Sequence, residues 1–382
     1  MSFTQEETVE FSRRAVWIGL AVFLFDVVLL SAAIAGALCS PHPALQALCA
    51  SAAGIVIALL FVVGHDAGHQ ALTPYRLLNN LVGRLAVLPA LHPYSLWILV
   101  HNYTHHRWTN LYPKDYVWTP LTLGQYRELP RRKRFLYRIY RSPVGIVIYY
   151  FIEFWIKRIM FPSRKEVRGT YKTVYLVDIA FVAICAAGYL SFLVVGAGEG
   201  WFNGPRPVWN TLLFGAAIPF AVWNTIMSFV IYLHHTHPDL KWYNDEAEWK
   251  RLADQAHSAV HVIFPGPVNL IFHWIMEHNA HHARPSIPLY RLRHAQKVLE
   301  EHDQGKIIVF PWTPKSHLDV TRRCKVYDYE VQRWQDFQGN YTSGEPAADR
   351  IPTNDRVEIE AGHQEPSGPA RRIQETSRRQ GG

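Results

Sequence analysis

Residues 44–69, ALQALCASAAGIVIALLFVVGHDAGH, decide how the rest of the chain is read. The first 21 of them, Ala44 to Gly64, carry no charge. About 20 such residues span a hydrocarbon core as a helix. The run then ends on two histidines four apart, His65 and His69. A helix places residues four apart on one face, with Cβ atoms about 5–6 Å from each other. A membrane crossing thus delivers two imidazoles, side by side, to its own end.

Working outward, Ala15 to Leu38 is a second apolar run of 24 residues, broken by Asp26. The turn Cys39–Pro43 between the two runs leaves room only for a helical hairpin. Downstream, 173–195 and 208–233 form another pair, joined by a Gly- and Pro-rich linker over 196–207. A fifth apolar stretch, 142–161, contains Glu153, Lys157 and Arg158, and is expected to lie along the headgroups. The expected fold is an all-α integral membrane protein. Four transmembrane helices in two hairpins, with interfacial helices, carry a cytosolic helical cap that holds a His-ligated di-metal site.

Composition agrees. Of 382 residues 49% are apolar and only 18% charged, below the usual quarter. That excludes a disordered chain, and the polar last third excludes one that is all membrane. The domain is expected over 1–338, with a polar, disordered tail over 339–382. Cys39, Cys49, Cys185 and Cys324 have no pairing pattern and read as core or lipid-facing thiols. No secretory leader is expected: the first 14 residues hold three Glu and end on Arg13-Arg14. No Gly-rich nucleotide loop, nucleophile elbow or C-x-x-C is visible, and nothing points to nucleic acid.

Positive charge gives the orientation. Thirteen Lys and Arg lie between Arg127 and Lys172, against Glu128, Glu153 and Glu166. The two hairpin linkers carry between them only Arg206. The basic middle segment is therefore placed in the cytoplasm with the C-terminal third. It reads as a face for anionic lipid, or as a docking face for an acidic protein; the two are compatible.

Histidine is the unusual residue, at 20 of 382. Three clusters stand out: His65-x3-His69, His101-x3-His105-His106, and His278-x2-His281-His282. At this frequency a lone H-x-x-x-H arises by chance about once, but a given three-His pattern only about 0.05 times. All three clusters fall on the cytoplasmic side of the expected topology. Eight imidazoles exceed what one ion takes, so two metals are implied. His65 with His69, and His101 with His105, are expected to share an ion. His106 and His282, pointing about 100° away, reach toward a second. Imidazole suits iron, zinc, copper and nickel alike. A further group, His234-His235-Thr-His237, follows the fourth run, and His235 or His237 could complete the shell. His234, His257, His261 and His273 are competing donors.

These boxes, with "GHDAGHQAL", "HNYTHHRWTN", "PKDYVWTPLTLGQYRE", "YLHHTHP" and "HNAHHARPSIPLYRL", resemble the membrane-bound fatty acid desaturases and their hydroxylase relatives. The bacterial and plant acyl-lipid desaturases of the Δ12 (omega-6) type are the nearest in pattern. The resemblance runs from Val62 to about Ala295. It implies two iron ions held by His65, His69, His101, His105, His106, His278, His281 and His282, with His235 or His237 as the ninth ligand. Asp66, Asn102 and Asn279 lie inside the boxes and could orient the imidazoles; Asp66 could equally meet an Arg. The resemblance also implies dioxygen-dependent formation of a cis double bond in an acyl lipid, by a multi-pass protein of a bacterial inner membrane. No His-Pro-Gly-Gly haem motif occurs, so a separate electron donor, ferredoxin or cytochrome b5, is expected on the basic face.

An unactivated methylene has no useful acidity, which fits the lack of a Ser/His/Asp or paired-carboxylate site. Selectivity must then come from an apolar tunnel. Tyr94, Trp97, Tyr103, Trp108, Trp223, Phe272 and Trp274 are candidates to line it, or form interfacial belts and core. Two other readings compete: a related hydroxylase or carotenoid ketolase, and a His-rich metal transporter. A transporter would put ionisable groups mid-span; here the histidines sit at helix ends and loops.

Overall fold

A computed structural model of the chain describes residues 3–163, 167, 170–266, 268–303 and 305–344. Four helices are long and apolar enough to cross a membrane: Val16–Cys39, Pro43–Gly68, Lys172–Gly198 and Val208–His235. They overlie the four expected runs. The last three continue past the expected ends at 64, 195 and 233, to 68, 198 and 235. That extension carries His65, His234 and His235 onto the long helices themselves.

The second and fourth long helices are the inner pair. The most apolar stretch of the second is 67% buried and that of the fourth 44%, against 11% and 17% for the first and third. Small residues allow this. A Cβ on Gly54 would lie 2.5 Å from the Val222 Cβ and 2.6 Å from the Pro219 carbonyl, so only glycine fits the crossing. Pro219 interrupts the fourth helix, and a π-turn over Leu213–Ala217 precedes it. Such a turn re-satisfies backbone groups that proline, lacking an N–H, leaves unpaired. The fifth apolar stretch is also helical, but it winds as an α-turn over Gly145–Tyr149 and then as a π-helix over Tyr150–Met160.

Besides Asp66 in the last turn of the second, two carboxylates lie within the long helices, Asp26 and Asp178. The sequence reading singled out Asp26 and passed over Asp178. Buried polar groups need partners, and both carboxylates have them. Asp26 Oδ2 lies 2.8 Å from His273 Nε2. Asp178 accepts from Arg84 Nε at 2.9 Å and from the Ser95 backbone N–H at 2.7 Å. Asp178 thereby anchors the start of the helix Tyr94–Val100, which leads into the second histidine cluster. We expect His273→Ala to lower stability by about 3 kcal/mol, because it strands a buried carboxylate. Thermal unfolding in detergent measures this. Replacing Asp26 and His273 together by Leu is expected to recover most of the loss.

The polar third is not purely helical, contrary to expectation. Val260–Ile263 pairs in parallel with Ile308–Pro311. Val326–Asp328 pairs antiparallel with Arg333–Gln335. Both are short runs rich in β-branched and aromatic residues, which favour the extended state. The expected tail boundary at 338 falls inside a folded turn. Asp336 Oδ1 accepts the N–H groups of Gln338, Gly339 and Asn340, and Thr342 N–H returns to the Trp334 carbonyl at 2.9 Å. The rest of that tail, 345–382, lies outside the described residues. The four cysteines are free thiols.

Candidate metal centre

The second long helix ends at Gly68, so His65 occupies its last turn and His69 caps it. Their ring centroids are 4.8 Å apart. Gly68 lets this end approach the Trp97 ring: a Cβ there would lie 2.4 Å from the indole. The Gly68 carbonyl accepts from Asn102 Nδ2 at 3.0 Å, which ties the first cluster to the second.

The second cluster departs from the expected geometry. His101–His105 is a π-helix. Its hydrogen bonds run from i to i+5, so residues five apart meet. His101 and His106 therefore pair, with their Nε2 atoms 3.1 Å apart. His105 turns to the other side, where its Nε2 lies 3.1 Å from His235 Nε2. The expected sharing of one ion by His101 and His105, with His106 on the second, is thus reversed. The helical periodicity assumed for it does not hold in this segment.

The third cluster opens the short helix His278–Ala283. His281 Nε2 lies 3.0 Å from His106 Nε2, while His282 Nε2 lies 3.1 Å from His278 Nε2. The result is two groups of donor atoms. His65, His69, His101, His106 and His281 form one, and His105, His235 and His282 the other, each within 4.8 Å throughout. His278 joins the second, 3.3 Å from His235. The groups touch where the His106 and His282 rings stack at 4.4 Å.

The donor set fits metal ions better than hydrogen bonds. A neutral ring nitrogen carries either one proton or one lone pair. Along the chain His105–His235–His278–His282 both inner Nε2 atoms touch two others, and one proton cannot serve two contacts. Nitrogens about 2.1 Å from a shared ion stand about 3.0–3.4 Å apart, for right-angled to tetrahedral arrangements; the observed pairs span 3.0–3.3 Å. His65 Nε2 and His69 Nε2 are buried with no hydrogen-bond partner at all. Burial, and secondarily the neighbouring imidazoles, hold His101, His106, His278, His281 and His282 well below the ordinary value of 6.5. They are neutral at pH 7, the form that ligates.

One supporting residue escaped the sequence reading. Both carboxylate oxygens of Asp115 lie 3.2 Å from His105 Nδ1. Asp115 is itself held by the N–H groups of Asn110 (2.9 Å) and Val117 (3.0 Å). Its only sequence signal was its place in "PKDYVW", just after the second cluster. Asp66 Oδ1 lies 3.4 Å from His65 Nδ1, and Oδ2 accepts from the Leu289 N–H. The Asn102 and Asn279 amides donate to backbone carbonyls rather than to imidazoles. Asn102 binds the Gly68 carbonyl, and Asn279 binds the carbonyls of Ala256 (2.7 Å) and Ala259 (2.8 Å).

The competing histidines separate cleanly. His257 pairs with Asp303, His261 with Glu300 and His273 with Asp26. His234 stacks on His278 at 3.7 Å, with its Nε2 unpartnered. His237 lies outside both groups, beside Asp239 and the Phe310 ring. We expect His235→Ala to abolish activity and His237→Ala to retain at least half, in parallel product assays.

A narrow apolar cavity reaches both groups. The second helix contributes Ala58, Phe61 and Val62, and the fourth Ile226, Met227, Val230 and Ile231. Tyr150 and Phe154 close it from the π-helix. Of the seven candidate aromatics only Trp97 and Phe272 line it. Tyr94 and Trp223 are core, and Tyr103 is 53% exposed. Trp108 packs on Trp249, and Trp274 meets Arg293. Those positions depend on packing between distant segments, which local sequence does not report.

The fold and site define a protein of four span-length apolar helices with two touching groups of imidazoles able to hold metal ions. The fatty acid desaturase family matches residues 41–311, most of the chain, and the chain belongs to that family. It is 28% identical over 283 residues to the sn-1 oleoyl-lipid 12-desaturase of Picosynechococcus sp., covering 72% of this chain and 75% of the relative. The chloroplastic omega-6 fatty acid desaturase of Glycine max is 28% identical, over 72% of this chain and 61% of its own length. The sn-1 acyl-lipid omega-3 desaturase (ferredoxin) of Nostoc sp. is 33% identical, over 65% of each chain.

Proposed function

We propose that the chain is a membrane-bound acyl-lipid desaturase that forms a cis double bond with Δ12 (omega-6)-like selectivity. The overall reaction joins two adjacent methylenes, dioxygen, two electrons and two protons to give an alkene and two waters. The observation that carries this reading is the convergence of nine imidazoles in two touching groups, both of which one apolar cavity reaches.

His65, His69, His101, His106 and His281 would hold one iron ion, and His105, His235, His278 and His282 the other. Bound iron would supply the dioxygen chemistry and the one-electron steps that unactivated methylenes demand. Asp115 accepts the His105 Nδ1 proton and so presents Nε2 as a lone-pair donor. The Phe61, Met227 and Val230 walls exclude water and hold a chain against the imidazoles.

In this reading the four long helices form two hairpins, and the imidazoles face the cytoplasm of a bacterial inner membrane. The helix Arg131–Tyr140, with Arg131, Arg132, Lys133, Arg134 and Arg138, offers a basic face to anionic lipid and to an acidic electron donor. The donor would be a ferredoxin or a cytochrome b5; the likeness to the Nostoc omega-3 desaturase (ferredoxin) favours ferredoxin. The decisive experiment expresses the chain in a host rich in monounsaturated lipid, with and without a ferredoxin system. Gas chromatography is expected to show a new diunsaturated acid that depends on the donor, and metal analysis about two irons per chain. An iron-loaded, reduced protein that yields only hydroxylated lipid overturns desaturation.

A further inference from the structure

The walls of the apolar cavity are not closed all round. Among the described residues that line it, all are buried except His101, at the imidazole end, and Ile226, Ile231 and Phe272. The side chains of the last three offer only carbon. Ile226 and Ile231 are the two edges of the cavity-facing arc of the fourth long helix, about 140° apart, with Met227, Val230 and His234 between them. Phe264 joins the Ile226 edge to Phe272. Its ring centroid lies 6.1 Å from Phe229, one turn on from Ile226, and 6.4 Å from Phe272.

Phe272 belongs to an irregular turn set against the first long helix. Val268–Ile271 makes one helical turn, and His273 and Trp274 then take left-handed backbone, with φ of 50° and 60°. Such angles are uncommon for residues with a Cβ. They let Phe272 line the cavity while His273 Nε2 reaches Asp26 Oδ2 at 2.8 Å. That contact fixes the level of the turn. A Cβ on Gly19 would lie 2.6 Å from the Leu72 carbonyl, so Gly19 stands beside the segment that follows His69. Asp26 is seven residues farther along the helix, about 10 Å deeper into its apolar length.

The turn has the surface and the backbone that hydrocarbon requires. Leu270 is 56% exposed and Ile271 44%. Four successive N–H groups are satisfied within the turn: Phe272 to the Val268 carbonyl, His273 to Leu270, Trp274 to Asn269 and Ile275 to Phe272, at 3.0–3.1 Å. Non-helical backbone is tolerated at membrane depth only where its polar groups are met by protein. The Asn269 side chain also pins the turn, accepting from the Phe264 N–H at 3.2 Å and donating to the Val262 carbonyl at 3.3 Å.

We infer that acyl chains enter the cavity sideways from the bilayer, between Ile226 and Phe272, and that Leu270 and Ile271 are seated in the hydrocarbon beside that entrance; the inference rests on the desaturase reading. A lipid entering here leaves its headgroup in the interface and slides in one chain, so no step exposes the chain to water. The substrate is then a resident membrane lipid, and an acyl group on a soluble carrier has no equivalent route.

Photolabelling of the full-length protein in vesicles tests this without turnover. The probes are a phosphatidylcholine with a diazirine in mid-chain and a water-soluble diazirine, with labelled residues mapped by mass spectrometry. The lipid probe is expected to label Leu270 and Ile271 outside the cavity and Met227 and Val230 within it, and the aqueous probe neither pair. Ile226→Trp should cut labelling of Met227 and Val230 at least tenfold and leave Leu270 and Ile271 labelled, which shows the turn intact. Adding Phe272→Ala to Ile226→Trp should restore at least half. The kcat/KM of the iron-loaded protein on dioleoyl phosphatidylcholine vesicles should fall and recover in the same order. Aqueous labelling of Leu270 and Ile271, undiminished cavity labelling in Ile226→Trp, or use of oleoyl-CoA that this variant leaves unchanged overturns lateral entry and leaves desaturation standing. Labelling that Ile226→Trp blocks, with no unsaturated product from wild type, upholds the entrance and overturns the desaturase reading.

Discussion

His281→Ala is expected to reduce desaturation by more than 100-fold while the protein still inserts in the membrane. His281 is fully buried, its Nε2 lies 3.0 Å from His106 Nε2, and its ring centroid stands 4.3 Å from His65 and 4.8 Å from His69. It is the only contribution of the third cluster to the five-imidazole group. Removing it takes a donor contributed by the C-terminal third away from donors on the second long helix and the π-helix. The four long helices that anchor the chain are untouched, because His281 sits in the separate short helix His278–Ala283. Lipid profiles of expressing cells read the activity, membrane fractionation reads insertion, and metal analysis should show iron lost. Unchanged unsaturated product with full iron content would falsify a ligand role for this residue.

Asp115→Asn should leave the fold in place and weaken the site by about 10- to 100-fold, in iron affinity or activity, the usual cost of losing a ligand's supporting partner. The carboxylate accepts from His105 Nδ1 and from two backbone N–H groups, and it is buried. Asparagine keeps the volume and one acceptor oxygen. It loses the charge, and its amide can no longer accept everywhere the carboxylate did. The His105 tautomer is then no longer enforced, and its Nε2 spends part of its time protonated. Titration with a competing chelator measures the affinity. Excess iron is expected to recover part of the activity in Asp115→Asn but none in His281→Ala, because only the latter lacks a donor. A variant with wild-type affinity would show that Asp115 merely closes its own turn.

Much of this was legible in the amino-acid order. The four apolar runs appear as long helices within four residues of their expected ends, because length and hydropathy are local properties. The three clusters were visible for the same reason: histidines three and four residues apart announce a shared face. The partition between the two groups was not visible. It turns on a π-helix over His101–His105, and nothing in His-Asn-Tyr-Thr-His distinguishes i+4 from i+5 hydrogen bonding. The surplus histidines could not be sorted by residue type alone. His257, His261 and His273 are as plausible as His235 by type, and only their packing against Asp303, Glu300 and Asp26 removes them.

What the chain order determined alone is a set of inventories: how many apolar runs of span length, where the histidines cluster, how much positive charge and where. What only the tertiary structure decided is who meets whom. His235 rather than His237 lies with the other donor atoms, and Asp115 rather than Asn102 or Asn279 lies against an imidazole nitrogen. The reason is physical. Hydrophobicity and turn spacing act over one or two helical turns, whereas donor atoms 3 Å apart come from segments more than 100 residues apart, as with His105 and His235. Their meeting depends on how whole helices pack.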